Sequence, residues 1–291
     1  MITAMPRIAI AVRDMDRAIA TFRDGLGMPV HEFEWLREAL GIRMSLCVPT
    51  GGSHIELMSP DDPARAHSRS LIRFLDRRGE GLFALMLYAQ DPNAEADALA
   101  SRGLEAMPLM QDAGGRDIHP KNTHGVLIRI YPSGSAEDLE REIERGLGPA
   151  SQRESRACLT GISRAIVAVA DLDAAVSVYR YRLGIPTRVE PADGARGVRV
   201  ALCAPPSGGR IEITSPIDDG RGFGRELAAF LRSHGEGMHS LVLESNDLDA
   251  TTSALRTNGI GLTRCDAEPT WWEIDAAAVH GARIRVEPRL A

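Results

Sequence analysis

The sequence predicts an α+β protein made of two tandem copies of one domain, each copy being two rounds of a βαβββ pattern. Two observations predict it. The first is an internal repeat: RIAIAVRDMDRAIATFRDGLGMPV at Arg7 to Val30 returns as RAIVAVADLDAAVSVYRYRLGIPT at Arg164 to Thr187, and three later blocks return about 156 positions on, in the same order. LCVPTGGSHIELMSP (Leu46 to Pro60) returns as LCAPPSGGRIEITSP (Leu202 to Pro216), GEGLFALML (Gly79 to Leu87) as GEGMHSLVL (Gly235 to Leu243), and HGVLIRIYP (His124 to Pro132) as HGARIRVEP (His280 to Pro288). Blocks that recur in one order are the mark of duplication, so each half can be used to read the other. The second observation is that hydrophobic periodicity switches between strand and helix in the same sequence in both halves.

Taken in order, Arg7 to Val12 is β-rich and ends at Arg13-Asp14, after which Ala18, Phe22 and Leu26 recur at helical spacing until Gly27 stops the helix. Arg43 to Val48 and His54 to Met58 read as strands joined by the turn Pro49-Thr50-Gly51-Gly52, and Leu71 to Leu75 belongs to a short helix. A second round gives a strand at Leu82 to Tyr88, a helix at Asn93 to Ser101, and strands near Leu104 to Met107, Arg116 to Ile118 and Val126 to Tyr131. Ser133 to Ala157, with Glu137, Glu140, Glu142 and Glu144 among arginines, reads as a solvated helix plus a polar stretch ending in Ser151-Gln152-Arg153-Glu154-Ser155, the connector between copies.

The 291 residues are enough for two domains that each bury a core, and the composition is that of a globular protein. A net charge of −6 and a pI near 5.8, with arginines scattered through apolar runs, argue against a nucleic-acid partner. No apolar run approaches the length of a membrane span and no charged segment followed by a long apolar stretch opens the chain, so the expected location is cytoplasmic. Cys47, Cys158, Cys203 and Cys265 lack zinc-site spacing and read as packed thiols.

These blocks together resemble the vicinal oxygen chelate (VOC) superfamily of glyoxalase, extradiol dioxygenase and bleomycin-resistance proteins, and each copy is most similar to methylmalonyl-CoA epimerase. The residues that carry the resemblance are the IAIAV strand with its D-x-D-x-A-x-x-x-[FY] helix and L-G, the IELMSP strand, F-L-x-x-x-G-E-G at Phe74 to Gly81, and the HPKNTHGVLIRI ending. The resemblance implies tandem glyoxalase-like domains at residues 1–133 and 161–291, joined by a connector at 134–160, each a curved mixed sheet of paired βαβββ units around a cleft. It also implies a divalent metal held by side chains on four strands. Here those positions carry Arg7, Glu56, Phe83 and Arg129 in the first copy and Arg164, Glu212, His239 and Arg285 in the second.

Guanidinium has no acceptor lone pair and stays protonated, so arginine is no metal ligand. No cofactor is therefore expected, save that Glu212 and His239 keep open a divalent metal in the second domain. Arg7 and Arg129 around Glu56 leave one positive charge in surplus by formal count. Two readings fit: an anion clamp in which Arg7, Arg129, Arg164 and Arg285 orient a small anionic ligand, or buried Arg–Glu–Arg clusters that fill the volume of a metal. For Glu212 and His239, on strands expected to face one another, the readings are a proton-shuttling His–carboxylate pair, with Glu56 as the first copy's carboxylate, or a satisfied histidine. His54 is expected at the surface, His124 and His280 as turn caps, and Arg43 and Arg199 on a solvated face. Of Trp271 and Trp272, found only in the second copy, one faces the cleft, and Trp272 is the expected ligand contact. Three function classes follow: a proton-transferring VOC enzyme of isomerase or lyase type acting on a small carboxylate, acyl-CoA or oxygenated natural product; a metal-free binding or resistance protein; and an extradiol-type dioxygenase. The chain is expected to be a monomer or a homodimer.

Overall fold

A computed structural model of the chain describes residues 1–110, 114–153, 155–218, 220, 222–265 and 268–289. Glu154 of the expected connector, and Leu290 and Ala291 at the end of the expected second domain, lie outside the described residues.

The first copy runs β1 (Ile2–Ala11), α1 (Met15–Ala20), β2 (Val30–Glu32), α2 (Trp35–Leu40), β3 (Ile42–Cys47), β4 (His54–Pro60), α3 (Ala66–Arg78), β5 (Gly81–Ala89), α4 (Pro92–Ser101), β6 (Arg116–Ile118), β7 (Leu127–Pro132) and α5 (Ser135–Leu147). The second runs β8 (Leu159–Ala168), α6 (Leu172–Val176), β9 (Thr187–Val189), β10 (Val198–Cys203), β11 (Ile211–Pro216), α7 (Gly222–His234), β12 (Gly237–Ser245), α8 (Leu248–Thr257), β13 (Leu262–Cys265), β14 (Glu268–Ile274) and β15 (Ile284–Pro288). Each copy forms its own mixed sheet, ordered β2-β3-β4-β1-β5-β7-β6 and β13-β14-β15-β12-β8-β11-β10-β9. The two rounds of a copy join through an antiparallel pair, β1 with β5 and β8 with β12. Inside a round the outer partner is parallel, as β1 is to β4 and β5 to β7.

Alternation along the strands sorts the side chains onto two faces. Ile8, Ile10, Ile55, Leu57, Leu85 and Leu87 point to a core that also holds their second-copy equivalents and the helices α1 and α6, so one apolar cluster runs through both copies. The opposite, concave faces are separate. That of the first copy is packed by Ala9, Ala11, Met58, Phe83 and Met86 against α2 and α3, and that of the second by Ile166, Ala168, Val200 and Trp271 against Phe223 and Leu227 of α7. Arg7, Glu56 and Arg129 share a side with Ala9 and Met58 by the same alternation, which puts them on the concave face.

Two expectations need correcting, and a third, the turn-capping histidines, holds and is extended. The connector helix is not wholly solvated: α5 carries Leu139, Ile143 and Leu147 four residues apart, and this stripe packs into the first copy's concave cluster, with Ile143 fully buried. Leu104 to Met107 makes no strand; the Met107 N–H donates to the Asp117 carbonyl at 2.7 Å without a ladder, whereas the corresponding segment of the second copy forms β13. His124 and His280 do more than end turns. His124 Nδ1 lies 2.8 Å from Glu236 Oε2, and His280 Nδ1 lies 3.1 Å from Glu80 Oε2, so each copy's HG pair meets the other copy's GEG turn. Both histidines hold φ near +55°, and a Cβ on the following Gly125 or Gly281 would fall 1.8 Å from the Glu236 carbonyl oxygen or 2.4 Å from that of Glu80. Close backbone approach between the copies accounts for these repeated residues.

Candidate active site

The first copy's concave face holds a cavity of about 250 Å³. Its floor is Arg7, Glu56 and Arg129, its walls include Phe33, Leu40, Ile42 and Met58, and Trp35 and Glu142 stand at the rim, where the indole Nε1–H donates to both Glu142 oxygens at 3.1 and 3.2 Å. Arg7 on β1 donates from Nε to Glu56 Oε2 at 2.8 Å and from Nη1 to the Tyr88 hydroxyl at 2.9 Å. Glu56 is 1% exposed, and among the described residues no donor reaches its Oε1. Arg129 forks onto Asp117 with bonds of 2.7 and 3.0 Å, because the antiparallel register of β6 and β7 sets Asp117 opposite it. Asp117 cancels the expected surplus: two arginines face two carboxylates. Burial works against the charge of Arg7, and Glu56 with the two tyrosines beside it more than offsets this, so the guanidinium stays charged. Tyr131 lines the same cavity; burial raises its pKa against the pull of Arg129 and Arg7, so the phenol keeps its proton and is a donor at neutral pH.

His54, expected at the surface, sits beside Arg7 in the wall of a second, more open cavity of about 720 Å³ under α5. Burial, then Arg7, depress its pKa to about 4, so the imidazole is neutral. Arg43 and Arg199 are held by acids of the first helix of each copy, Asp16 at 2.7 Å and Asp173 at 2.8 Å, and brace that helix against the sheet.

In the second copy the same strand positions form a filled cluster. Arg164 donates to Glu212 Oε2 at 2.9 Å and to Glu287, Thr214 Oγ1 donates to Glu212 Oε1 at 3.2 Å, and Arg196 reaches over the same carboxylate at 3.7 Å. Trp271 lies under Arg164 and Arg196 at 4.9 and 5.7 Å from ring centroid to guanidinium carbon. The expected His239–Glu212 pair is not formed. His239, 1% exposed, has its Nε2 3.2 Å from Glu226 Oε1 on α7, out of line for a hydrogen bond, and Arg285 is bound by Glu226 at 2.5 and 2.6 Å and by Glu273 at 3.3 Å. Burial, partly offset by Glu226, lowers the pKa of His239 to about 4; for Glu226 burial acts upward, and Arg285, bonded to both of its oxygens, outweighs it to hold the carboxyl at about 2. Trp272, the expected ligand contact, points to the other face of β14, between Arg256 and Arg264 at 4.8 and 4.9 Å, so Trp271 is the cleft residue.

Sequence reasoning missed Asp117 and Glu273, although they stand 156 positions apart and pair with arginines that repeat likewise. Glu226 had no such signal, since its counterpart is Ser70.

The donor sets at the four strand positions do not suit a divalent cation. In the first copy Glu56 is the one lone-pair donor among two arginines and a phenylalanine, and in the second Glu212 and His239 belong to different ion-pair clusters. Among the described residues no group of three or more His, Cys, Asp or Glu side chains is placed to hold a metal. No helix among them is long and apolar enough to cross a membrane.

The family model of the glyoxalase/bleomycin resistance protein/dioxygenase superfamily matches residues 7–119 and again 165–273. No curated protein matches the chain. Among solved structures, a mutant of 4-hydroxymandelate synthase from Streptomyces coelicolor superposes with a TM-score of 0.66 at 15% identity, covering 99% of this chain and 93% of the other. A fusion of a xylose isomerase-like TIM barrel with 4-hydroxyphenylpyruvate dioxygenase gives 0.63 at 14% identity, with 100% of this chain and 49% of that one covered. Methylmalonyl-CoA epimerase from Mycobacterium tuberculosis is 29% identical over 47% of this chain and 93% of its own, with a TM-score of 0.41. The matched segments, one per copy, cover more than half of the sequence, and the chain belongs to the glyoxalase/bleomycin resistance protein/dioxygenase superfamily.

Proposed function

We propose that the first-copy cleft is the working site, that it takes a small, largely apolar molecule bearing one polar group, and that it moves a proton on that molecule without a metal, in the manner of an isomerase or lyase. The observation that carries this reading is the cavity over Glu56: apolar walls above a floor where the carboxylate is fixed through one oxygen and, among the described residues, has no donor on the other. Glu56 is then the base, and Tyr131 and the arginine N–H groups beside it donate to the oxygen on which charge develops. Since the floor carries no formal surplus, the ligand need not be anionic, and a ketone, thioester or hydroxyl-bearing ring of a size to enter 250 Å³ suits it. An extradiol dioxygenase needs two histidines and a carboxylate around iron, a set the strand positions do not supply. Binding without turnover is the second reading, favoured by the fact that every floor charge already has a partner.

The test is exchange of C–H protons into D₂O, followed by proton NMR over a panel of alkyl and phenyl ketones and thioesters. Exchange catalysed by the native chain and lost in Glu56→Gln supports proton transfer. Saturable shifts of ligand signals with no exchange by either protein favour the binding reading.

A further inference from the structure

Helix α3 presents Arg73, Arg77 and Arg78 to a groove of about 470 Å³ at the junction of the two copies. The floor opposite the arginines is apolar, with Phe74 and Phe83 from the first copy and Phe230 and Met238 from the second. Arg73 and Arg77 are exposed and lie one helical turn apart on one face, and no carboxylate among the described residues pairs with either; Arg78 reaches only the His234 carbonyl, at 3.4 Å. Among the described residues the nearby acids are engaged elsewhere: Asp76 faces Arg13 at 3.6 Å, and Asp117, the one acid of these that lines the groove, is held by Arg129. Three like charges within about six residues repel one another, an arrangement that an anion would relieve.

Duplication supplies an internal control. The residues of α7 equivalent to Arg73, Arg77 and Arg78 are Ala229, Ser233 and His234, while Phe74 and Leu75 return as Phe230 and Leu231. The helix and its packing therefore persist without the arginines, which belong to the first copy alone in a chain of net charge −6. The groove is separate from the cleft over Glu56: the two have no lining residue in common, and the Arg129–Asp117 pair stands as the wall between them.

The geometry points to a second small-molecule site, in which the α3 arginines bind the carboxylate or phosphate of an anion whose aromatic or branched apolar body lies on Phe83, Phe230 and Met238. The probe is anilinonaphthalene sulfonate, an anion on an aromatic body, titrated by fluorescence into the intact chain, with neutral phenylnaphthylamine as its uncharged counterpart. The expected result is saturable binding that weakens as salt rises, exceeds that of the neutral probe, and falls about tenfold or more in the double variant Arg73→Ala/Arg77→Ser, which copies the second half's own residues. Salt-independent binding, or equal affinity for the neutral probe, would overturn the site using the native protein alone. So would undiminished binding in the folded double variant, or a loss of binding that instead follows Met58→Trp, which fills the first-copy cleft.

Discussion

Glu56 and Glu212 occupy the same place on the same strand of two copies of one fold, yet one lies at the floor of a 250 Å³ cavity and the other lies beneath Arg196 and beside Trp271. The difference comes from what each copy adds to the shared framework. The first copy is roofed by α2 and α5, which leave space above the strands and frame it with apolar side chains. The second sends the loop carrying Arg196, the helix carrying Glu226 and the strand carrying Trp271 into that space. The same residue pattern thus floors a cavity in one half and forms a filled polar cluster in the other. A buried ion-pair cluster adds little net stability over an apolar core, but it is expensive to break from one side, which gives ways to tell the two halves apart.

The largest effect is expected for Arg7→Met. It leaves Glu56, 1% exposed, without its bonded cation and should cost about 3–5 kcal/mol in urea unfolding, while Arg285→Met, whose partners Glu226 and Glu273 are 28% and 30% exposed and of which Glu226 keeps Arg283 at 2.7 Å, should cost clearly less. Equal losses would erase the distinction between a carboxylate with one bonded cation and a shared cluster. Next, Trp271→Ala should destabilise by about 3 kcal/mol and Trp272→Ala by about 1 or less, since only Trp271 is buried against the arginine cluster.

A third contrast is pH dependence. His239 has a folded pKa of about 4 against an ordinary 6.5, so the unfolded chain takes up the proton first; its contribution is whole above pH 6.5 and is lost as pH falls from 6.5 to 4. His239→Phe, which installs the first copy's own residue, should flatten the fall in stability across that window, leaving the part with the same sign that comes from His54. An unchanged slope between pH 7 and 5 would contradict a buried neutral His239. The smallest effect is expected at the rim: Trp35→Phe removes the bond to Glu142 from an exposed side chain, so stability should change by less than about 1 kcal/mol while ligand entry to the first cleft quickens.

The framework was legible because repeat and period report backbone geometry directly: the repeated blocks fix strand positions, and alternation places Arg7, Glu56 and Arg129 on one face. The partners were not, because they depend on approach in three dimensions. Asp117 is set by the register of β6 on β7 and Glu226 by the seat of α7, and neither follows from strand periodicity. The roof over the first cleft was hidden for a similar reason. The apolar stripe of α5 is only three residues in an acidic helix, which composition alone renders as solvated. The choice between Trp271 and Trp272 turned on a parity that a single-residue shift reverses.

The most direct test of the first copy as the working half is methionine and isoleucine methyl NMR during titration with acetophenone, a neutral aromatic ketone. The account predicts saturable shifts at Met44, Met58 and Ile42, abolished in Met58→Trp, with Ile166 of the second copy unmoved. Shifts centred on Ile166, with those three methyls silent, would contradict it.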